Sequence, residues 1–387
     1  MKMRRPLITG ATLGLAAVMA TACSSSGSSS SSSAPAAAPS TAASGSAAAS
    51  SGGSGSAAAG LGPQSAALQD LYNKAVAAGQ TSVVIYGPSA GSDQNLYAAF
   101  KKDFPKITVT GVPVVGPPMD AKLSAEVSSG KHIGDIAYTG STDMLIWSQK
   151  GYFTQYTPVT VTDPATLNDD SVSPNKDFYG VTTSVSGMVT NTNSNVPVPQ
   201  NWSDLTNSVY KDKIAMLDPT GIGQMADIFA HLSLIPSDGK VESGLKANNA
   251  QIFPATSLTG PLTAVAQGAK SVALAQGYNF YLQAKASGAP LAFTLLKADN
   301  YDVDLYQGII KGAPHELAAE LYESWMFTPD AATAIAAAGG YSTVKGAVAP
   351  QGLPALSAIP LEPTIPLDQI VKADNAAITS AKQYWGG

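Results

Sequence analysis

Arginine is the most informative absence from this sequence of 387 residues, because none occurs after Arg5. Without a guanidinium group, the chain cannot hold a carboxylate or phosphate through the paired N–H bonds that arginine supplies. An anionic ligand would need lysine, hydroxyl groups, backbone N–H groups or a metal ion instead. The composition therefore favours a neutral or cationic ligand, or an anion held at a helix N-terminus.

Cysteine is nearly absent as well. Cys23 is the only cysteine, so no intrachain disulfide can form. It follows a positively charged start (Lys2 to Arg5) and an apolar run from Pro6 to Ala20 that is too short for a membrane span. Small residues before a cysteine in this context are typical of a bacterial lipobox. Residues 1–22 are therefore predicted to be a lipoprotein signal peptide. Lipid on Cys23 would anchor the exported protein to the outer face of the cell membrane.

Basic residues are also few. Three of the 22 lie in the signal peptide, which leaves 19 against 27 acidic residues and a net charge of about −8. An acidic chain without basic runs argues against binding to nucleic acid. The three histidines are scattered, without the spacing of metal ligands, so no zinc site is predicted. No cofactor is predicted either.

The composition changes sharply after Cys23. Residues 24–60 contain only Ser, Gly, Ala, Pro and Thr. Such a segment has neither apolar side chains to bury nor charge, so residues 23–62 are predicted to be the lipid anchor and a flexible tether without a binding role. The remaining chain is long enough for about two domains.

The first half of that chain alternates strands and helices. Apolar runs at 82–86, 107–112 and 135–138 predict strands, and each precedes a segment with helical periodicity. This order predicts a largely parallel sheet with helices on both faces, and ligands then bind beyond the carboxyl ends of the strands. Three loops are candidates: 87–91, 138–141 and 220–223. Long extended runs at 179–191 and 288–294 are predicted to cross between two lobes.

One motif suggests a different function. Residues 87–91 read G-x-S-x-G between a strand and a helix, which is the pattern of a hydrolase nucleophile elbow with Ser89 as the nucleophile. Against this, the motif follows the first strand, Pro88 crowds the turn, and no typical oxyanion segment is present. An exported serine hydrolase stays an alternative, and its base would be His132, His231 or His315.

Two further motifs have weak alternative interpretations. Residues 221–226 match a dinucleotide fingerprint, but they lie in mid-chain in an exported protein. The helix N-terminus predicted there can still accept a polar or anionic group. Tyr278 and Tyr281 could be iron(III) ligands, although aromatic residues three apart more often form a core or a pocket wall.

Several segments in a fixed order resemble extracellular solute-binding proteins of ABC transporters. The strongest is 199–219, where P-x-x-W-x-D-L is followed by Y-K-x-K-I-A-M-x-D-P. The first strand (SVVIYGPSAG), Gly134-Asp135-Ile136 and the segment around Pro314 also agree. The resemblance is to the type II periplasmic-binding fold, in the branch that includes iron(III) and small organic solute binders.

The resemblance implies an α/β fold of two lobes, each a mostly parallel sheet flanked by helices, joined by extended hinge crossovers. Residues 63–183 and 288–345 would form lobe 1 and residues 184–287 lobe 2, with 346–387 unassigned. A solute in the cleft would favour the closed state, which the ABC permease subunits read. The protein would act as a monomer and would not be an enzyme.

The resemblance also implies candidate ligand contacts at corresponding positions. These are Ser89, Ala90, Thr139, Gly140, Ser141, Ser184, Ser186, Thr220, Gly221, Ile222, Tyr278 and Asn279. Tyr278 stands where iron binders have the first of two adjacent tyrosines, but here Asn279 follows. This departure argues against iron and favours a small polar solute held by hydrogen bonds. An iron(III)-binding transport lipoprotein with Tyr278 as a ligand stays a second alternative.

Overall fold

The computed structural model describes residues 60–88, 90–91, 93–236 and 240–386. The predicted signal peptide, Cys23 and the tether up to residue 59 lie outside the described residues. Within the described part of the chain, no helix is long and apolar enough to cross a membrane.

Ten strands are present in the described residues. They are β1 (Ser82–Gly87), β2 (Thr108–Pro113), β3 (Ile136–Gly140), β4 (Tyr179–Asn191), β5 (Ile214–Leu217), β6 (Gln251–Phe253), β7 (Val272–Gly277), β8 (Leu291–Thr294), β9 (Asp302–Ile309) and β10 (Tyr341–Ser342).

Eleven α-helices are present in the same ranges. They are α1 (Ser65–Ala77), α2 (Gln94–Asp103), α3 (Pro117–Ser129), α4 (Ser141–Gln149), α5 (Gln224–Leu232), α6 (Val241–Ala247), α7 (Gly260–Ala266), α8 (Tyr278–Ala286), α9 (Glu316–Trp325), α10 (Pro329–Ala337) and α11 (Ile370–Trp385).

The strands follow the order β2-β1-β3-β9-β4-β7-β5-β6, with β8 and β10 paired to β4. Pairing is parallel at both ends of this order, where β1 joins β2 and β3, and β5 joins β6 and β7. Pairing is antiparallel at the centre, where β4 and β9 lie. The two parallel groups are the sheets of the two lobes, and the predicted two-lobed α/β fold is confirmed.

Strand β4 connects the two groups, as the long extended run predicted. Its first half pairs with β9, and its second half pairs with β7 and β8. The second extended run, at 288–294, contains β8, which pairs with that second half of β4. The chain returns to β3 through β9, so β9 is the second crossover. The lobe boundaries stay a prediction.

The segment around Trp202 differs from its sequence pattern, which predicts an α-helix start. Trp202–Thr206 is a 3₁₀ turn, closed by a capping box between Asn201 and Asp204. Asn207 is extended, and its side chain accepts a bond from Val209 N–H at the start of the next turn. Each polar side chain therefore closes its own short turn, and no longer helix propagates.

Large aromatic side chains fill the core beneath α2 and α9. The ring centroid of Phe100 lies 5.0 Å from that of Tyr322 and 5.4 Å from that of Trp325, in edge-on geometry. All three side chains are fully buried. Such packing holds the helices to the sheet and leaves the carboxyl ends of the strands free for the site.

The C-terminal helix α11 lies against α4, α5 and α6. The rings of Trp385 and Phe229 stack with centroids 6.0 Å apart. This docking covers α5 and brings polar side chains of α11 to the ends of α4 and α5. Residues 346–387, which the sequence analysis assigned to neither lobe, therefore contribute side chains to the site.

Candidate functional site

A cavity of about 170 Å³ lies where both groups of strands meet the starts of helices. Thr139 and Gly140 at the end of β3 line one side, and Gly277 at the end of β7 lines the other. Ser184 of the crossover β4 lies between them. The volume is enough for a small solute, because a single water needs roughly 10–15 Å³.

Four helices begin at this cavity, and each begins after a glycine. Gly116 precedes α3, Gly140 precedes α4, Gly223 precedes α5 and Gly277 precedes α8, and all four line the cavity. None of the four helices has a side-chain cap hydrogen bond. First-turn N–H groups without a side-chain acceptor can donate to a ligand at α4, α5 and α8, whereas α3 begins with Pro117 and Pro118, which have no N–H group.

Three carboxyl side chains also line the cavity: Asp143 of α4, Asp227 of α5 and Asp374 of α11. Asp227 accepts a bond of 2.5 Å from the hydroxyl of Tyr301, and Asp374 accepts one of 2.6 Å from Thr142. Burial, followed by the charge of Asp120, raises the pKa of Asp143 to about 6. The cavity thus combines helix N-termini with acids that are hard to ionise.

Asp227 and Asp374 both line the cavity, and each carboxyl group affects the pKa of the other. Burial raises the pKa of Asp227 to about 6. Burial and the charge of Asp227 raise the pKa of Asp374 to about 7. Atom Oδ1 of each residue has no partner that donates a hydrogen bond from elsewhere in the described chain. Two carboxyl groups that interact in this way lose their protons in coupled steps.

The surroundings of this pair are also acidic. A second cavity, of about 260 Å³, shares Asp227 and is lined by Asp302 and Glu362. His231 Nδ1 lies 3.1 Å from the carbonyl oxygen of Asp227 and 3.2 Å from Oε1 of Glu362. Burial lowers the pKa of His231, which favours the neutral imidazole. Neither lysine nor arginine lines the first cavity in the described part of the chain.

The structure brings half of the predicted ligand contacts together at the first cavity. The lining residues that the sequence singled out are Thr139, Gly140, Ser141, Ser184, Ile222 and Asn279. Thr139, Gly140, Ser141 and Ile222 lie in loops that were chosen because strands end there, whereas Ser184 and Asn279 were chosen from the family resemblance. Ser89 lies outside the described residues.

Five other predicted contacts are not among the described residues that line the cavity. Ala90 is fully buried, and its carbonyl accepts a bond of 2.9 Å from Tyr97. Thr220 bonds to the side chain of Asp218 through both its N–H and its hydroxyl. Ser186 accepts a bond of 3.1 Å from Gln224, which does line the cavity. Gly221 lies in the same loop as Thr220.

Tyr278 faces a different part of the second lobe. Its hydroxyl donates to the carbonyl of Gln351 at 2.9 Å, and its ring packs on Tyr281 and Phe293 at centroid distances of 5.7 and 4.9 Å. Among the described residues, no group of three or more His, Cys, Asp or Glu side chains is arranged to hold a metal ion. The ring contacts of Tyr278 fit the interpretation of this residue as part of the core.

His315, one of the three histidines considered for a hydrolase, makes its hydrogen bonds away from the cavity. His315 bonds to Asp135 and Ser82, each at 3.1 Å, at the start of β1. Ser82 is at the amino end of β1, so this chain of bonds lies at the edge of the sheet opposite the cavity. It ties α9 to β1 and β3.

Sequence reasoning missed the three acids that line the cavity and also Tyr301, which donates a hydrogen bond to Asp227. Asp143 could have been found, because it is the third residue of a helix predicted to begin at Ser141. Asp227 lies one turn into α5, again close to a predicted ligand loop. Asp374 and Tyr301 carried no local signal, because only the docking of α11 and the path of β9 bring them to the cavity.

Comparison with known protein families finds one match, over the middle of the chain. The sequence model of the family described as bacterial extracellular solute-binding protein matches residues 134–278. That range includes β3, the crossover β4 and the Trp202 segment. No curated protein sequence matches the chain.

Solved structures agree with the family match. Iron-bound HitA from Pseudomonas aeruginosa is 16% identical, with a TM-score of 0.63 over 78% of this chain and 99% of that one. AfuA from Actinobacillus pleuropneumoniae, with fructose-6-phosphate bound, is 18% identical, with a TM-score of 0.62 over 78% and 98%.

A substrate-binding protein of an ABC transporter from Agrobacterium tumefaciens is 14% identical, with a TM-score of 0.65 over 79% of this chain and 94% of that one. At these identities the likenesses establish the fold. Together with the family match, they confirm the resemblance recognised in the sequence and support substrate binding for ABC import. The proteins that the chain resembles are binding proteins and do not favour the hydrolase alternative.

Proposed function

We propose that the protein captures a small polar solute in the cavity between its lobes and delivers it to the permease of an ABC importer. The observation that carries this proposal is the cavity itself, which is lined by residues from both groups of strands and from the crossover between them. A ligand that contacts both lobes favours the closed state by its differential affinity. The permease then distinguishes loaded from empty protein by shape.

Hydrogen-bonding groups would hold the solute. Thr139, Ser141, Ser184 and Asn279 offer side-chain oxygens or amides, and the starts of α4 and α5 offer N–H groups. Lobe 2 spans residues 184–287 in this proposal, and lobe 1 comprises 63–183 and 288–345. The pairing of β8 with β4 favours moving the second boundary to β9.

The direct test is thermal unfolding of the purified protein against a panel of sugars, sugar phosphates, amino acids, polyamines and iron(III). A solute that binds the folded state raises the unfolding midpoint by mass action, by about 2.7 kcal/mol of stability at one hundred times Kd. A concentration-dependent rise with one solute class is expected. No rise across the panel would contradict the proposal.

Iron(III) is included because HitA was solved with iron bound. If iron binds through Tyr278, a visible charge-transfer band will appear and Tyr278→Phe will remove it. The buried contacts of Tyr278 predict that no such band forms.

We further propose that the protein is an exported lipoprotein that acts as a monomer and is held at the membrane by lipid on Cys23. The support is the charged start, the short apolar run and the small residues that precede the single cysteine. Cys23→Ser is expected to move the protein from the membrane fraction to the soluble fraction. Its melting temperature should not change, and continued membrane association after signal-peptide cleavage would refute the anchor.

A further inference from the structure

We propose that the solute is an uncharged molecule with one polar end and a compact apolar body of about six carbons, which lies against an apolar wall of the cavity. This inference rests on the proposed solute-binding function and narrows the small polar solute to one chemical class. It starts from the side chains that expose surface to the cavity.

Apolar side chains form much of the lining. They come from both groups of strands and from the crossover, and they are Val115, Ile222, Leu258, Phe280 and Leu305. Ile222 is 39% exposed, and the other four are half-buried. Exposed apolar surface that is gathered in a concave site marks a place where a ligand binds, because covering it removes it from water. These five side chains are called the apolar wall below.

Strand β9 separates the apolar wall from most of the nearby charge. Val303 and Leu305 line this cavity, whereas Asp302 and Asp304 line the second one. Successive side chains of a strand point to opposite faces, so the alternation of acidic and apolar residues divides the two cavities. The carboxyl groups of this crossover strand are therefore not part of the cavity that holds the solute.

The acids that do line the cavity offer it little charge. Oδ2 of Asp227 accepts the hydroxyl of Tyr301, and Oδ2 of Asp374 accepts that of Thr142 at 2.6 Å. Oδ1 of both acids is enclosed by the protein. Burial raises the pKa of Asp143 to about 6, so the surroundings of this third carboxyl group disfavour its charge. Since no lysine or arginine lines the cavity in the described part of the chain, an uncharged solute suits it better than an ion.

The size of the cavity limits the body of the solute. An apolar protein cavity of about 150 Å³ holds one benzene molecule. The cavity here has about 170 Å³, which is room for a body of about six carbons and one small polar group. Ser141 and Ser184 line the same cavity and are half-buried. A hydroxyl group can both donate and accept a hydrogen bond, so either serine can bind the polar end.

A matched series of six-carbon compounds tests the proposal on the purified protein. Cyclohexanol and hexan-1-ol carry one polar end on a ring or a chain, and myo-inositol carries hydroxyl groups all around the same ring. Cyclohexylamine and cyclohexanecarboxylate add a charge of either sign at pH 7. Isothermal titration calorimetry at two temperatures measures the affinity and the heat-capacity change, which is negative when apolar surface is buried.

The proposal predicts a clear order of affinities. At least one of the two alcohols is expected to bind at about millimolar Kd or tighter, as its number of heavy atoms allows. The other three compounds are expected to bind more weakly, by about tenfold or more, because their polar or charged groups would lose water against the apolar wall.

Two double variants make the test specific. Val115→Thr combined with Ile222→Thr keeps branched side chains but places a hydroxyl group on the apolar wall from each group of strands. Alcohol binding should weaken by about tenfold or more, and the heat-capacity change should become smaller. Val209→Thr combined with Leu234→Thr changes two exposed apolar residues outside the lining and should alter neither. Circular dichroism checks that both double variants fold.

Each outcome decides the proposal. Alcohol binding with a negative heat-capacity change supports it, provided that the cavity variant weakens binding and the control does not. Stronger binding of myo-inositol or of a charged compound would overturn it. Alcohol binding that the cavity variant leaves intact, or that the control weakens equally, would do the same, as would no binding of either alcohol.

The same compounds are added to the solute panel of the unfolding experiment, which separates the two proposals. A panel solute that raises the midpoint while neither alcohol binds would preserve the solute-binding function without the apolar body. No rise with any compound in either experiment would refute both.

Discussion

Glu126 and Asp374 are both almost completely buried acids, but their surroundings differ. Glu126 is 6% exposed, and it accepts bonds from Tyr86 at 2.7 Å and from the N–H groups of Ile133 and Gly134 at 3.0 Å. Lys122 lies 3.2 Å away. Asp374 is 2% exposed and has a donor on one oxygen only. One acid has its partners within the chain, and the other does not.

The pKa values of Glu126 and Asp374 differ because the two acids have different numbers of donors. Burial alone would raise the pKa of Glu126, but the bonds from Ile133, Gly134 and Tyr86 lower it overall. Burial and neighbouring charge raise the pKa of Asp374 to about 7. A buried carboxylate with a full set of donors stabilises the fold, because it joins α3 to β1 and to the loop before β3. A buried carboxyl group with a donor on one oxygen only lacks part of that stabilisation, and such groups are frequent at functional sites.

Replacing the first acid should have the largest effect on stability. Glu126→Gln removes the charge that its four donors require, so the free energy of unfolding should fall by about 3 kcal/mol. Urea denaturation followed by tryptophan fluorescence measures the change, with Asp368→Asn as the exposed control. A loss no larger than that of the control would mean that donor count does not distinguish the two acids.

Removing the hydroxyl that donates to Asp227 should have a smaller effect on stability. Tyr301 is 1% exposed, and Tyr301→Phe takes away the hydroxyl that bonds to Asp227. Because Asp227 is mostly ionised at pH 8, we expect a loss of about 2 kcal/mol there and a smaller loss at pH 5, where the carboxyl group is protonated. Denaturation at the two pH values checks this. Equal losses would mean that the bond does not depend on charge.

Replacing the second acid should stabilise the ligand-free protein. The folded pKa values of about 6 and about 7 for Asp227 and Asp374 exceed the ordinary aspartate value of 3.8. The folded state thus holds more protons than the unfolded state, so this contribution to stability is complete below pH 4 and is lost as the pH rises to about 7.

Asp374→Asn supplies a permanent donor to Asp227 and should flatten that decline. We expect a gain on the order of 1 kcal/mol at pH 8 and little change at pH 4. The midpoint of urea unfolding at each pH measures it. Destabilisation at pH 8 would show that this acid, like Glu126, serves the fold.

The smallest effect on stability is expected at Tyr278, which the sequence predicted to be a ligand contact. Tyr278→Phe removes one bond to the carbonyl of Gln351, so stability should fall by about 1 kcal/mol or less. Solute affinity should stay the same, because Tyr278 does not line the cavity in the described part of the chain. Calorimetry with the bound solute checks the second point. A tenfold loss of affinity would mean that Tyr278 contacts the solute.

Much of the site could be predicted from local patterns. Strand ends and helix starts are encoded by neighbouring residues, so Thr139 to Ser141 and Ile222 were found from the apolar run, the glycine and the helix that follows. The same reasoning chose Thr220 and Gly221 beside Ile222. It could not tell which side chains of a loop face the cavity, because that depends on φ and ψ at each residue.

The amino-acid sequence by itself determined the alternation of strands and helices, the acidic surface without arginine and the resemblance to solute-binding proteins. These depend on periodicity, composition and short motifs, which act over a few residues. Only the tertiary structure decided which acids at the cavity have a donor on one oxygen alone. Asp227 and Asp374 are 147 positions apart in the sequence, and both line one cavity because α11 docks on α5. Burial and pairing of that kind arise from contacts between distant segments, and no local pattern encodes them.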